Sequence, residues 1–119
     1  MRKLLVALAA VTVAMAVLAS ASFASTPKLS GTVGPGFTIT LTQGGKKVSK
    51  LKAGTYTFAI NDKSSIHSFG LDGPKGFAKD FTSVSFKGTK TFTVVLKAGK
   101  YKYYCTPHES TMFGNFTVS

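Results

Sequence analysis

The chain has 119 residues, 44% of them hydrophobic, with 12 glycines and a formal net charge of +11, a balance that fits one globular domain and excludes a disordered chain. Its length excludes most multi-domain enzyme architectures. Arg2 is the one arginine, which argues against nucleic acid as the partner of so basic a protein, because bidentate contacts to bases and phosphates come from arginine.

The first predicted element is a leader. Arg2 and Lys3 precede an apolar run, Leu4 to Leu18, broken only by Thr12, and small residues follow through Ala24. This is the pattern of a secretory signal peptide over residues 1–24, with cleavage after Ala21 or Ala24. The run is shorter than the roughly 20 residues that a membrane span needs. The expected mature domain, residues 25–119, is therefore a periplasmic or extracellular protein without a membrane span. Its net charge is +9 once Arg2 and Lys3 are gone. Charge of that sign and size calls for an acidic redox protein or an anionic surface as partner.

Beyond the leader the hydrophobic period is two, and no ten-residue stretch carries a helical stripe. The predicted strands run from Leu29 to Val33, then Phe37, Ile39 and Leu41 on one face of FTITLT, then Tyr56, Phe58 and Ile60. They continue over Ile66 to Leu71, Thr82 to Phe86, the set Phe92, Val94 and Leu96, the set Tyr101, Tyr103 and Cys105, and Phe113 to Val118. Between them lie turn signals such as Gly34-Pro35-Gly36, Gly44-Gly45, Gly73-Pro74 and Ala98-Gly99. Residues 72–81 read as a surface loop with Phe77 and Phe81 tucked inward. About eight short strands so spaced predict an all-β Greek-key sandwich. LKAGTYTFAI at 51–60 and LKAGKYKYYC at 96–105 match in register, and the reading is two hairpin corners with the same turn chemistry rather than a duplication.

The C-terminal segment carries the chemistry. Cys105, His108 and Met112 stand as C-x2-H-x3-M. An unpaired cysteine in an exported chain is a liability unless it is buried, paired between chains or bound to metal. Thiolate, imidazole and thioether together select copper, and a trigonal site of two histidines and one cysteine with a weak axial methionine is an electron-transfer geometry. The second histidine can only be His67. Taken singly, each has a plainer reading: a buried small residue, a hydrogen-bonded core histidine, a core filler. A structural zinc site would ask for four N/S ligands without thioether. Other readings left open are a copper carrier or buffer without redox turnover, a copper-free interaction sandwich and, weakest, Cys–His hydrolysis, for which no orienting Asn or buried acid is evident.

From His67 to Val118, with HSF, LKAGKYKYYC, the CTPH step, Met112 and FGNFTV, the chain resembles the cupredoxins, most nearly their plastocyanin and pseudoazurin branch. The resemblance implies one copper held by His67, Cys105 and His108, with Met112 as a distant axial ligand, and one-electron transfer rather than enzymatic turnover. The mature domain is expected to be a monomer. Two features depart from the branch. Glu109, Ser110 and Thr111 make three residues between histidine and methionine where plastocyanin-like loops have four and azurin-like ones three. Ser68 stands where the family often has Asn, and its hydroxyl is expected to reach Thr106. His108 is expected to be the ligand nearest solvent, with Pro107 and Phe113 in an apolar docking rim and lysines around it.

Overall fold

The computed structural model describes residues 25–119; the predicted leader lies outside them. They contain ten strand segments: β1 (Lys28–Val33), β2 (Ile39–Gln43), β3 (Lys46–Lys47), β4 (Lys50–Leu51), β5 (Gly54–Asp62), β6 (Phe69–Asp72), β7 (Ala78–Thr82), β8 (Gly88–Leu96), β9 (Gly99–Tyr104) and β10 (Phe113–Val118). Two five-stranded sheets result, ordered β3-β2-β1-β5-β8 and β4-β10-β9-β6-β7. The predicted all-β sandwich is what forms. Among the described residues no helix is long and apolar enough to cross a membrane.

Alternation explains why these segments pair. In β5, Tyr56, Phe58, Ile60 and Asp62 are buried while their neighbours are not. The strand sits between β1, which it pairs in parallel, and β8, antiparallel. Phe58 of one sheet stacks on Phe81 of the other at 5.0 Å, and within the second sheet Phe69 stacks on Tyr103 at 5.8 Å and Tyr101 on Phe116 at 5.1 Å. Full burial of each such side chain contributes about 1.5–3 kcal/mol.

Four sequence expectations shift. The strand expected over Thr82 to Phe86 lies at Ala78–Thr82, inside the region read as a loop. The tight turn Pro74–Gly76 uses only three residues, with Gly73 N–H bonded to Phe77 O at 2.8 Å, so the chain returns as a strand sooner than expected. A register shift between Phe69 and Gly70 then buries Phe81 and Thr82 side by side, which erases the alternation. Phe37 does not share the buried face of Ile39 and Leu41. Gly34 N–H binds Thr38 O at 2.9 Å, so the chain arches before β2 begins, and Phe37 stays 65% exposed. His67 precedes β6 rather than lying on it. The segments β3 and β4 are two-residue, lysine-bearing pieces at the sheet edges, too short to carry a period and charged as edges tend to be.

The paired LKAG segments are not hairpins. The first carries the chain from β4 in one sheet to β5 in the other, the second from β8 to β9 in the reverse direction. Each crossing is locked the same way: Tyr56 Oη donates to Lys52 O at 2.7 Å, and Tyr101 Oη to Lys97 O at 2.9 Å. Gly99, at φ +149, admits no side chain, since a Cβ there would lie 2.6 Å from Pro74 Cγ.

Two poles follow from the strand directions. One, the upper, holds the ends of β1, β5 and β9 and the starts of β6, β8 and β10; the other, the lower, holds the two LKAG crossings. Lys28, Lys46, Lys47, Lys50 and Lys52 lie at the lower pole, as do Lys75, Lys97 and Lys100, and all are exposed. Asp62 and Glu109 lie at the upper.

Candidate metal centre

At the upper pole β9 is followed by Cys105, fully buried, and the chain turns through Thr106–His108 into a closed loop. Cys105 N–H binds Met112 O at 3.0 Å, while His108 O accepts from Thr111 N–H at 3.1 Å and Met112 N–H at 2.8 Å. Pro107 fits the first turn because its missing N–H would be unsatisfied there in any case. These bonds put His108, half-buried, above Cys105 and leave Met112 buried beneath the loop at 1% exposure.

His67 arrives from the opposite side, fully buried. Its Nδ1 lies 3.2 Å from His108 Nδ1 and 3.6 Å from Cys105 Sγ, and Sγ lies 3.6 Å from His108 Nδ1. A circle through the three atoms has a radius of about 2 Å, close to the roughly 2.0–2.3 Å of metal bonds to imidazole and thiolate. Three lone-pair donors crowd together at this spacing at low cost only around a cation or a shared proton. Copper, with its preference for imidazole and soft sulfur, fits that donor set. The structure thus brings together His67, Cys105 and His108, with Met112 in the loop that closes over them.

Ser68 ties the two sides. Its N–H donates to Cys105 Sγ at 3.4 Å, and its Oγ accepts from Thr106 N–H at 2.8 Å. The expected hydroxyl contact to Thr106 is present. The first bond stabilises negative charge on sulfur; the second holds the turn. Gly34, at φ +71, backs the buried imidazole: a Cβ there would come within 3.2 Å of His67 Cδ2 and 2.9 Å of Ser64 Cβ. His67 Nε2 and Asp62 Oδ2 are buried without a hydrogen-bond partner.

Phe37 is the residue that sequence reasoning missed. Its ring meets His67 and His108 edge-on, with centroids 5.3 and 5.0 Å away. The available signal was the GPGF run, since a strand cannot start so close to two glycines and a proline. Pro107 is exposed and Phe113 is 46% exposed. The lysine collar expected there is reduced. Lys102 lies over Phe113 at 4.9 Å but is paired with Glu109 at 3.1 Å, and most other lysines stand at the lower pole.

One further group near the site titrates unusually. Burial, followed by the hydrogen bond that Tyr104 Oη donates to Asp72 at 3.1 Å, pushes the Tyr104 phenol up to about 12.

A family model described as copper binding proteins of the plastocyanin/azurin family matches residues 40–119. Among solved structures the chain is similar to reduced rusticyanin, at 23% identity and a TM-score of 0.56 over 82% of each chain. It is similar to a rusticyanin variant at 26% identity and a TM-score of 0.51, covering 82% of this chain and 80% of that one. A Cu(I) form of an amicyanin variant matches at 17% identity and a TM-score of 0.52, over 78% and 83% of the two chains. No curated protein sequence matches the chain.

Proposed function

Because the chain belongs to the plastocyanin/azurin family of copper-binding proteins, with one copper per chain, we propose that it is an exported electron carrier, not an enzyme, whose metal is held by His67, Cys105 and His108 with Met112 as the distant axial ligand. The observation that carries this reading is the triangle of two Nδ1 atoms and one Sγ with sides of 3.2 to 3.6 Å. Bound there, copper supplies a one-electron couple.

What the chain itself does is hold still. Cys105 and His67 are fully buried, so their positions are fixed by the core and not by solvent. Ser68 braces the sulfur and the turn at once. Such bracing spares the donors any large movement when charge changes, which is the demand on a carrier. His108 is the donor nearest solvent, and Phe37, Pro107 and Phe113 surround it with an apolar face. A redox partner meets the protein there. Since the lysines cluster at the far pole, attraction of an acidic partner orients the protein poorly for contact at the rim, so docking rests on apolar burial. Residues 1–24 act as the removed leader, leaving residues 25–119 as a monomeric domain.

The test is to add Cu(II) to the purified exported protein and record its visible spectrum. An intense thiolate-to-copper band is expected, absent in Cys105→Ser. Met112→Leu keeps the colour and raises the reduction potential, because losing a weak donor disfavours Cu(II). Tight Cu(I) binding with no stable Cu(II) form points to a copper carrier instead, and loss of copper in Met112→Leu makes Met112 a principal ligand.

A further inference from the structure

The charge distribution separates two ends of one small molecule. Eight exposed lysines occupy the lower pole, and among the described residues none of them is in a salt bridge. They lie on the strands β1, β3, β4 and β9 and in three connections, so the charge is spread over a whole end of the sandwich and not along one loop. Among these lysines lies a cleft of about 340 Å³ with Phe77, Val95, Ala98 and Tyr101 in its walls and Lys75 and Lys97 at its lining. Val95 is 60% exposed. Lys75 is held in the left-handed region at φ +56, a conformation that costs about 1 kcal/mol or more. It belongs to the turn that Gly99 packs against.

We propose that the lower pole is a docking face for an anionic lipid surface. Lysine without arginine supplies point charges that suit many loosely placed phosphates better than one planar recognition site. A largely apolar cleft with Lys75 and Lys97 in its lining matches the boundary of headgroup and glycerol backbone, where an anionic head and an apolar body meet. A soluble acidic protein would be served by the charge but has no use for the cleft. Docked this way, the protein turns His108 and its rim away from the surface.

The experiment mixes the exported protein with vesicles of phosphatidylcholine alone or with phosphatidylglycerol, and measures co-sedimentation at low and high salt. Binding is expected only with the anionic lipid and is lost at high salt. Changing Lys46, Lys47, Lys97 and Lys100 together to Gln should weaken it at least about a hundredfold, since each lysine near such a surface is worth about a factor of five. The pair Lys63→Gln and Lys87→Gln, at the other pole, should cost about fivefold or less. Equal binding to both vesicle types overturns the proposal. So does an equal loss from the upper-pole pair, or binding to immobilised polyglutamate tighter than to the anionic vesicles, which would point to an acidic protein. The apoprotein should bind as well as the copper form, so a failure of the metal reading leaves this result untouched.

Discussion

At the lower pole both LKAG segments cross between sheets, and each closes with a tyrosine hydroxyl on the carbonyl four residues back. At the upper pole His67, Ser68, Cys105 and Asp62 are buried, and two of their polar atoms lack partners. One end is finished by local bonds and tolerates only what its turns permit. The other carries polar groups that a purely structural domain would leave out, because burying them unpaired costs about 1–3 kcal/mol each. Stability and chemistry are thus separated along the long axis of the sandwich, and a substitution should disturb one without the other.

The largest expected effect that sharpens this contrast is at the lower pole. Tyr101→Phe removes a bond to Lys97 O and the acceptor of Lys97 N–H, and should cost about 1–3 kcal/mol in chemical denaturation, with the copper spectrum unchanged. A spectral change would show the poles to be coupled. Tyr56→Phe, which loses a single bond, should cost about 0.5–1.5 kcal/mol. At the upper pole Ser68→Ala orphans Thr106 N–H; copper affinity should fall about tenfold or more, while stability of the apoprotein drops by about 1 kcal/mol. An unaltered affinity would mean that the loop holds itself. The smallest effect concerns Tyr104. Asp72→Asn removes a charge that favours the protonated phenol, so its titration, followed by ultraviolet absorbance, should move down from about 12. Because the folded state holds this proton more tightly than the unfolded chain, its contribution to stability is complete below about 10 and fades as pH rises toward 12. In Asp72→Asn that fading should begin and end over a narrower range.

Much of this could be read in advance. The alternation of Tyr56, Phe58 and Ile60, and of Tyr101, Tyr103 and Cys105, is a local property, and those residues are buried. The spacing of Cys105 and His108 fits a single closed turn, so the approach of these two donors was legible too. Phe37 was not, because its place depends on an arch whose partner, His67, is distant in sequence. The strand Ala78–Thr82 was hidden by a register shift at Phe69, a property of its neighbour and not of its own residues. The matched LKAG segments were visible as a repeat, but only sheet order shows that they cross between layers.

Cys105 and Met112 form a closing rung of the β9–β10 pair, bonded N–H to O at 3.0 Å, directly beyond the Tyr104–Phe113 pair. Everything between them is outside the ladder. Residues can therefore be inserted or deleted in that span without shifting a single strand register, which makes the segment a detachable cassette. Descendants of one scaffold could vary the length of this segment alone, while inheriting the sandwich intact.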